Sequence, residues 1–198
     1  MYSTNISGVI LAGGHGSRLG GEDKGLIDVN GRPMISYCIE RFAPQVSTLF
    51  INVNRNLTAY RELGFPVITD QIADFAGPLA GIAAALSSCK TSYLATAPCD
   101  SPFLPTDLVE RLASPLQDSQ AAVSVAINSG RPQPVFAVIA TQLYESLYDY
   151  LTSGGRKIMT WYRQQAIVEV NFGSDDLPFA NINSPDDLVA ATKQLPVQ

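Results

Sequence analysis

Residues 9–26 read "VILAGGHGSRLGGEDKGL", an apolar run that opens into a long glycine-rich loop carrying two spaced cations, Arg18 and Lys24. Backbone amides at Gly13, Gly14 and Gly16 have no Cβ between them and a ligand, so they can close on oxyanions while the two cations neutralise charge. Residues 97–105, "APCDSPFLP", set a single acid, Asp100, at the end of a second apolar run among stiffening prolines. A carboxylate at a strand end suits Mg²⁺, a hard cation that takes one or two carboxylates, substrate phosphates and water. The same Asp could instead cap a local turn. Phosphate binding and metal-assisted phosphate chemistry are what these residue types can do together.

Three ligand readings fit a glycine loop after a strand, and a plain tight turn is the bland alternative. Gly14, Gly16 and Gly20 approximate a dinucleotide fingerprint. That motif, however, needs a helix starting within the glycines and an acid ending the second strand, which here reads "NVNRN". A P-loop requires Lys next to the last Gly and a hydroxyl after it, whereas Lys24 lies between Asp23 and Gly25. A loop wrapped around a triphosphate accounts for the length that the other two leave unexplained.

Lesser candidates stand elsewhere. Asn52 and Asp70 fall at expected strand ends, and Asn181 and Asn183 alternate on a short extended stretch. Arg131, Arg156 and Lys157 are candidate phosphate contacts or solvated surface cations. Trp161, Tyr144, Tyr148 and Tyr150 recur at helical spacing and read mostly as core. His15 is the single histidine, which leaves no basis for a histidine-based triad.

The elements that must hold these residues follow from periodicity. Strands are expected at 6–12, "STLFINVN", "FPVITD", "SYLATAPCD", "AAVSVAIN", "PVFAVIA" and "AIVEVNF". Helices are expected from Pro33, at "LTAYRELG", from Pro78, from an N-cap at Thr106, at "TQLYESLYDYLTSG" and "GRKIMTWYRQQ", and from a capping box at Ser184 and Asp187. "SGRPQ" reads as the turn between two later strands. Alternating strands and helices predict an α/β fold: one mostly parallel, Rossmann-like sheet with a mixed edge and helices on both faces. No linker interrupts the 198 residues, so a single domain over 1–198 is expected, with a nucleotide-binding half at about 1–105 and an acceptor-binding half at about 106–198.

Composition removes other classes. A net charge of −5 and a pI near 4.7 argue against a broad nucleic-acid surface, yet leave room for a small anion in one cationic pocket. The three cysteines are widely and irregularly spaced, and the apolar run after Met1 is short and soon broken by glycine. Both features point to a reduced, cytoplasmic protein with no membrane segment.

"LAGGHGSRLGGEDKGL" resembles the signature of the nucleotidyltransferases that share the glycosyltransferase-A-like fold, and its "LAGG…DKGL" form is most similar to the molybdenum cofactor guanylyltransferases. The likeness extends through "DQIADFAGPLAGI", "APCDSPFLP", "GGRK" to Trp161, and "FANINSPDDL", with Leu19 in place of the commoner Met. It implies GMP transfer from GTP to the phosphate of molybdopterin or Mo-molybdopterin, giving a guanine dinucleotide cofactor and pyrophosphate. By the same resemblance Lys24, Arg18 and Asp100 are catalytic and Asp100 binds Mg²⁺. Leu11, Ala12, Gly13, Gly14, Lys24, Asn52, Asp70 and Asp100 line the nucleotide, and Asn181, Asn183 and Arg156 the acceptor. Implied protein partners are other molybdenum cofactor biosynthesis proteins and acceptor molybdoenzymes or their chaperones. The alternatives are cytidylyl or sugar-phosphate transfer on the same fold, and a silent nucleotide-binding regulator.

Overall fold

A computed structural model describes residues 5–13, 23–72 and 77–196, the side chain of Asp118 aside. The first apolar run forms β1 (Ile6–Leu11), buried along its whole length. Such a strand must be flanked on both sides. β4 (Thr48–Asn52) and β6 (Tyr93–Pro98) pair with it in parallel, and β5 (Val67–Ile68) extends the sheet beyond β4. The other half adds β7 (Val123–Asn128), β8 (Arg131–Ala140) and β9 (Ile167–Asn171), giving the order β5-β4-β1-β6-β8-β7-β9. β8 runs against both neighbours and β9 runs parallel to β7, so the reversed strand lies inside the mixed half and the outermost strand is parallel.

Helices cover both faces, as the unbroken apolar strands require. α1 (Met34–Phe42), α2 (Leu57–Arg61) and α4 (Leu108–Asp118) pack on one side, with Cys38, Phe42, Tyr60 and Leu112 fully buried. α3 (Pro78–Ser88), α5 (Tyr144–Thr152) and α6 (Ile158–Tyr162) pack on the other, around Ile82, Leu147, Trp161 and Tyr162. Of the aromatic stripe only Trp161 is core: Tyr144 and Tyr150 are partly buried at the margin of that layer, and Tyr148 is 41% exposed. A third cluster joins a short hairpin, β2 (Asp28–Val29) and β3 (Arg32–Pro33), to the last helix, α7 (Pro185–Gln194), through Val29, Met34, Tyr37, Ile182 and Leu195. Asn30 ties the two ends further by donating to the carbonyls of Thr192 and Leu195.

Several boundaries differ from expectation for local reasons. Pro33 pairs with Asp28 in the hairpin and stands one residue before α1, where its missing N–H loses nothing. α4 begins at Leu108 behind Asp107, with no side-chain cap bond, so Thr106 is not its N-cap. The turn expected at "SGRPQ" shrinks to Ser129 and Gly130, both at positive φ, and Arg131–Gln133 join β8. Ser184 and Asp187 form the expected capping box at α7.

β8 also carries an irregularity that matters to the site. Val125 pairs with Ala137 but Ala126 pairs with Gln133, so Pro134, Val135 and Phe136 bulge out of register. Their carbonyls are not wasted: Thr96 Oγ1 donates to Val135 O at 2.6 Å and Tyr162 OH to Pro134 O at 3.1 Å. The bulge re-aims the strand, a common device beside ligand sites.

Candidate active site

Strand register builds one rim. Leu11 lies opposite Asn52 on one side and Pro98 on the other, so the carboxyl ends of β4, β1 and β6 are level. Ligands bind at that edge of open α/β sheets. A cavity of about 280 Å³ opens there, lined by Leu11, Ala12 and Gly13 after β1, Asn52 at the end of β4, Asp70 beyond β5, and Pro98–Asp100 after β6. Gly77 and Pro78 add the start of α3, Val135 comes from the β8 bulge, and Lys24 and Asn181 complete the wall. Gly14 and Arg18 lie outside the described residues.

The charged centre is Lys24. Its ammonium donates to Asp100 Oδ2 at 3.0 Å and to Asn183 Oδ1, with side-chain exposures of 21% for Lys24 and 14% for Asp100. Two oxygens, one from the middle of the chain and one from near its end, are therefore already aimed at one positive charge, and oxygen donors of this kind are what a small hard cation uses. The segment 179–183 is held against this point because Ile182 N donates to Asp100 O at 2.9 Å and Ser101 Oγ donates to Asn181 Oδ1. Asn181 and Asn183 thus both reach the Asp100 end of β6.

Lys24 is placed by a partner that sequence reasoning missed. Asp23 is 8% exposed and accepts from Tyr60 OH at 2.6 Å and Asn56 Nδ2 at 3.1 Å, with Arg55 Nε at 3.6 Å. Burial, with the nearby Cys99 and the Asp23 carboxylate, pushes the Tyr60 hydroxyl well above its ordinary range, so it stays a donor. A Cβ on Gly25 would stand 2.4 Å from Tyr60 O, so only glycine lets the chain pass over that ring after Lys24. Asp23 and Gly25 together pin both sides of the lysine.

The wall opposite Lys24 is a second network. Asp70 accepts from Asn52 Nδ2 at 2.9 Å and Asn54 Nδ2 at 2.8 Å, while its own N–H donates to Asn54 Oδ1 at 2.9 Å. Asn54 was not singled out in the sequence; its two-residue offset from Asn52 at the strand end was the available signal. Asn52 is 3% exposed and needs space that Gly81 in α3 provides, since a Cβ there would lie 2.2 Å from Asn52 Oδ1.

Other candidates lie apart from the cavity wall. Arg156 donates to the carbonyls of Leu151 and Gly155 at the end of α5, at 3.0 and 2.6 Å. Arg131 lines a separate pocket with Gln133 and Asp176, and the Lys157 carbonyl accepts from Tyr150 OH. Cys99 is part of the cavity wall, yet burial holds its thiol well above the ordinary range, so it is no ready nucleophile. Among the described residues no group of three or more His, Cys, Asp or Glu could hold a metal.

A sheet whose parallel strands end level at a cavity holding a lysine and a carboxylate has the architecture of an α/β enzyme that takes its ligand at the carboxyl edge. A family model for the MobA-like NTP transferase domain matches residues 8–168. The molybdenum cofactor guanylyltransferase of Cupriavidus metallidurans is 51% identical over 189 residues, covering 93% of each chain. That of Bordetella petrii is 49% identical over 197 residues and 98% of each. In structure, molybdopterin-guanine dinucleotide biosynthesis protein A from Archaeoglobus fulgidus superposes with a TM-score of 0.78 at 24% identity, over 95% of this chain and 97% of that one. The chain belongs to the MobA-like NTP transferase family and is a nucleotidyltransferase with that fold.

Proposed function

We propose that the protein transfers GMP from GTP to the terminal phosphate of molybdopterin, releasing pyrophosphate. The observation that carries this reading is the convergence of Lys24, Asp100 and Asn183 beside a cavity whose far wall is the Asn52–Asp70 network. The cavity takes the nucleotide, with Asn52 and Asp70 toward base or ribose and Leu11–Gly14 along the phosphates. Nearly all of its wall precedes residue 105, which supports a nucleotide half at about 1–105 and an acceptor half at about 106–198 contributing Val135 and Asn181. The full-length likeness to enzymes named molybdenum cofactor guanylyltransferase supports the choice of substrates.

The chemistry asks little proton transfer of the protein. A phosphomonoester has its second pKa near 6, so the acceptor oxygen is largely unprotonated at neutral pH. That oxygen forms a bond to the α-phosphorus as the bond to the bridging oxygen breaks and the electron pair leaves with pyrophosphate. Catalysis is then in-line positioning and charge stabilisation. Asp100 and Asn183 suit Mg²⁺, which when bound supplies Lewis-acid charge to the phosphate oxygens. Lys24, released from Asp100, meets the triphosphate, and Arg18 with the Gly13 and Gly14 amides neutralises the rest. Asn181 is assigned to the acceptor side, with Asn183 between it and the metal position; Arg156, bound to carbonyls at the end of α5, is assigned there by the family resemblance alone. The reading places the protein in the cytoplasm, which its free thiols Cys38, Cys89 and Cys99 suit. It also leaves room for hand-over to other cofactor-assembly proteins, molybdoenzymes or their chaperones.

The test is Mg²⁺-dependent pyrophosphate release with GTP, CTP, ATP or UTP, with and without molybdopterin. Release with GTP only when acceptor is present is expected. Release with CTP instead, or with a sugar phosphate as acceptor, would replace the substrate and leave the transfer chemistry standing.

A further inference from the structure

A second pocket, about 360 Å³, lies between the β7–β8 turn and the segment before Asn181, lined by Asn128, Ser129, Arg131, Gln133, Asp176 and Phe179, with Ala180 at its margin. It adjoins the Val135 and Asn181 side of the main cavity along two segments of backbone. Ala180 precedes Asn181, and Gln133 is two residues from Val135, a separation of about 7 Å along a strand.

Two features of this pocket are costly for the fold alone. Ser129 holds φ +50° in a two-residue turn with Gly130, at a position that favours Asn, Asp or Gly. Its hydroxyl explains the choice by donating to Asp176 Oδ1 at 2.7 Å. Asn128, 1% exposed, donates its Nδ2 to the same Asp176 oxygen at 2.8 Å and leaves its own Oδ1 buried with no partner among the described residues. Flipping the amide would face oxygen against carboxylate, so the orientation is fixed by Asp176. These bonds tie the segment of Asp176 to the β7–β8 turn, and one oxygen suffices for that. Both donors sit on Oδ1, which locks the carboxylate plane and leaves Oδ2 for a ligand, as a preorganised binding group requires. Arg131, with no hydrogen bond or ion pair among the described residues, offers a flat guanidinium, and Phe179 an apolar wall.

We infer that this pocket holds the far end of the acceptor: a flat heterocycle whose adjacent ring N–H and exocyclic amine, the edge of an amino-oxo-pyrimidine, face the Asp176 carboxylate. The heterocycle lies against Phe179 and Arg131, and Gln133 meets its remaining polar atoms. The assignment to a pterin rests on the guanylyl-transfer reading; the carboxylate-directed N–H edge rests on the pocket itself.

Two full-length variants test it. Asp176→Asn keeps the shape and puts a donor where the ligand also donates. Ser129→Gly suits the positive φ and removes only the hydroxyl, so a purely structural role predicts a change confined to the melting temperature, with normal kinetics. In transfer assays both variants are expected to raise the KM for molybdopterin tenfold or more, about what one charge-assisted hydrogen bond is worth, with the KM for GTP within twofold of wild type. Acceptor KM values within twofold of wild type in both overturn the pocket while guanylyl transfer stands. If wild type transfers nothing, fluorescence titration with 6-hydroxymethylpterin decides. Binding by wild type that is lost in Asp176→Asn keeps the pocket and removes the transfer reading, whereas equal binding by both, or none by wild type, removes the pocket.

Discussion

At the scale of single residues, the proposed function turns on Lys24, whose ammonium donates to Asp100 and Asn183. Lys24→Ala removes the cation and leaves Asp100 with one partner fewer; turnover is expected to fall at least about a hundredfold with little change in melting temperature, since both side chains are partly exposed. Asp100→Ala should lose as much and should not be rescued by raising Mg²⁺. Wild-type turnover in either folded variant would remove the pair from the mechanism. Gly81→Ala probes the opposite wall. Its new Cβ, 2.2 Å from Asn52 Oδ1 and 2.9 Å from Leu11 Cδ2, must displace the asparagine from Asp70. The expected result is a raised KM for GTP at nearly unchanged acceptor KM, read from steady-state kinetics. A normal KM for GTP would mean that Asn52 does not touch the nucleotide.

Among the elements, α7 is the clearest test because its capping box holds the segment that carries Asn183. Ser184 Oγ accepts from Asp187 N, and the Asp187 carboxylate accepts from the N–H groups of Asn183 and Ser184. Ser184→Ala should cost about 1 kcal/mol. The backbone N–H of Asn183, with those of Ser184 and its hydroxyl, holds the Asp187 carboxyl below its ordinary value. A carboxylate with a depressed folded pKa stabilises above its unfolded pKa and loses that contribution as pH falls through the folded value. Wild type should therefore melt above Asp187→Asn by a constant margin from pH 5 upward, and the margin should close on acidification toward pH 3; a margin independent of pH would refute the charge contribution.

That cap was legible because its residues are neighbours in sequence, and the same holds for the strand-end Asp100 and for Pro78 opening α3. What escaped was set by distant partners. Asp23 reads as one more polar loop residue until Tyr60 and Asn56 fold over it, and Asn54 gains meaning only beside Asp70. Thr106 failed as a cap because helical hydrogen bonding starts two residues later, behind Asp107. The extension of β8 through Arg131–Gln133 was hidden by prolines that usually mark turns; Pro132 stays in register with Ile127, and the β8 bulge accommodates Pro134.

On the scale of the molecule, the sheet explains both what the sequence reveals and how inert the rest is. Uninterrupted apolar strands announce a parallel core, so fold class and layer order follow from periodicity, while the position of the reversed β8 inside the mixed half depends on pairings that no local pattern encodes. Burial also fixes the thiols: it pushes Cys38 up to about 12 and Cys89 to about 11, and Cys99 well upward. Iodoacetamide at pH 8 should leave Cys38 and Cys99 unmodified in the folded protein and label all three after denaturation, as read by mass spectrometry. Rapid labelling of Cys99 in the native state would show that the cavity floor opens.

The contact between Lys24 and Asn183 joins residues 159 apart, and the hairpin beside Lys24 is roofed by α7. During synthesis the glycine loop, Asp100 and most of the sheet leave the ribosome while the asparagine that completes them is still unmade. A chain stopped before residue 180 would carry most of the cavity wall and the Lys24–Asp100 pair, yet lack Asn181 and the Asn183 oxygen that Lys24 also meets.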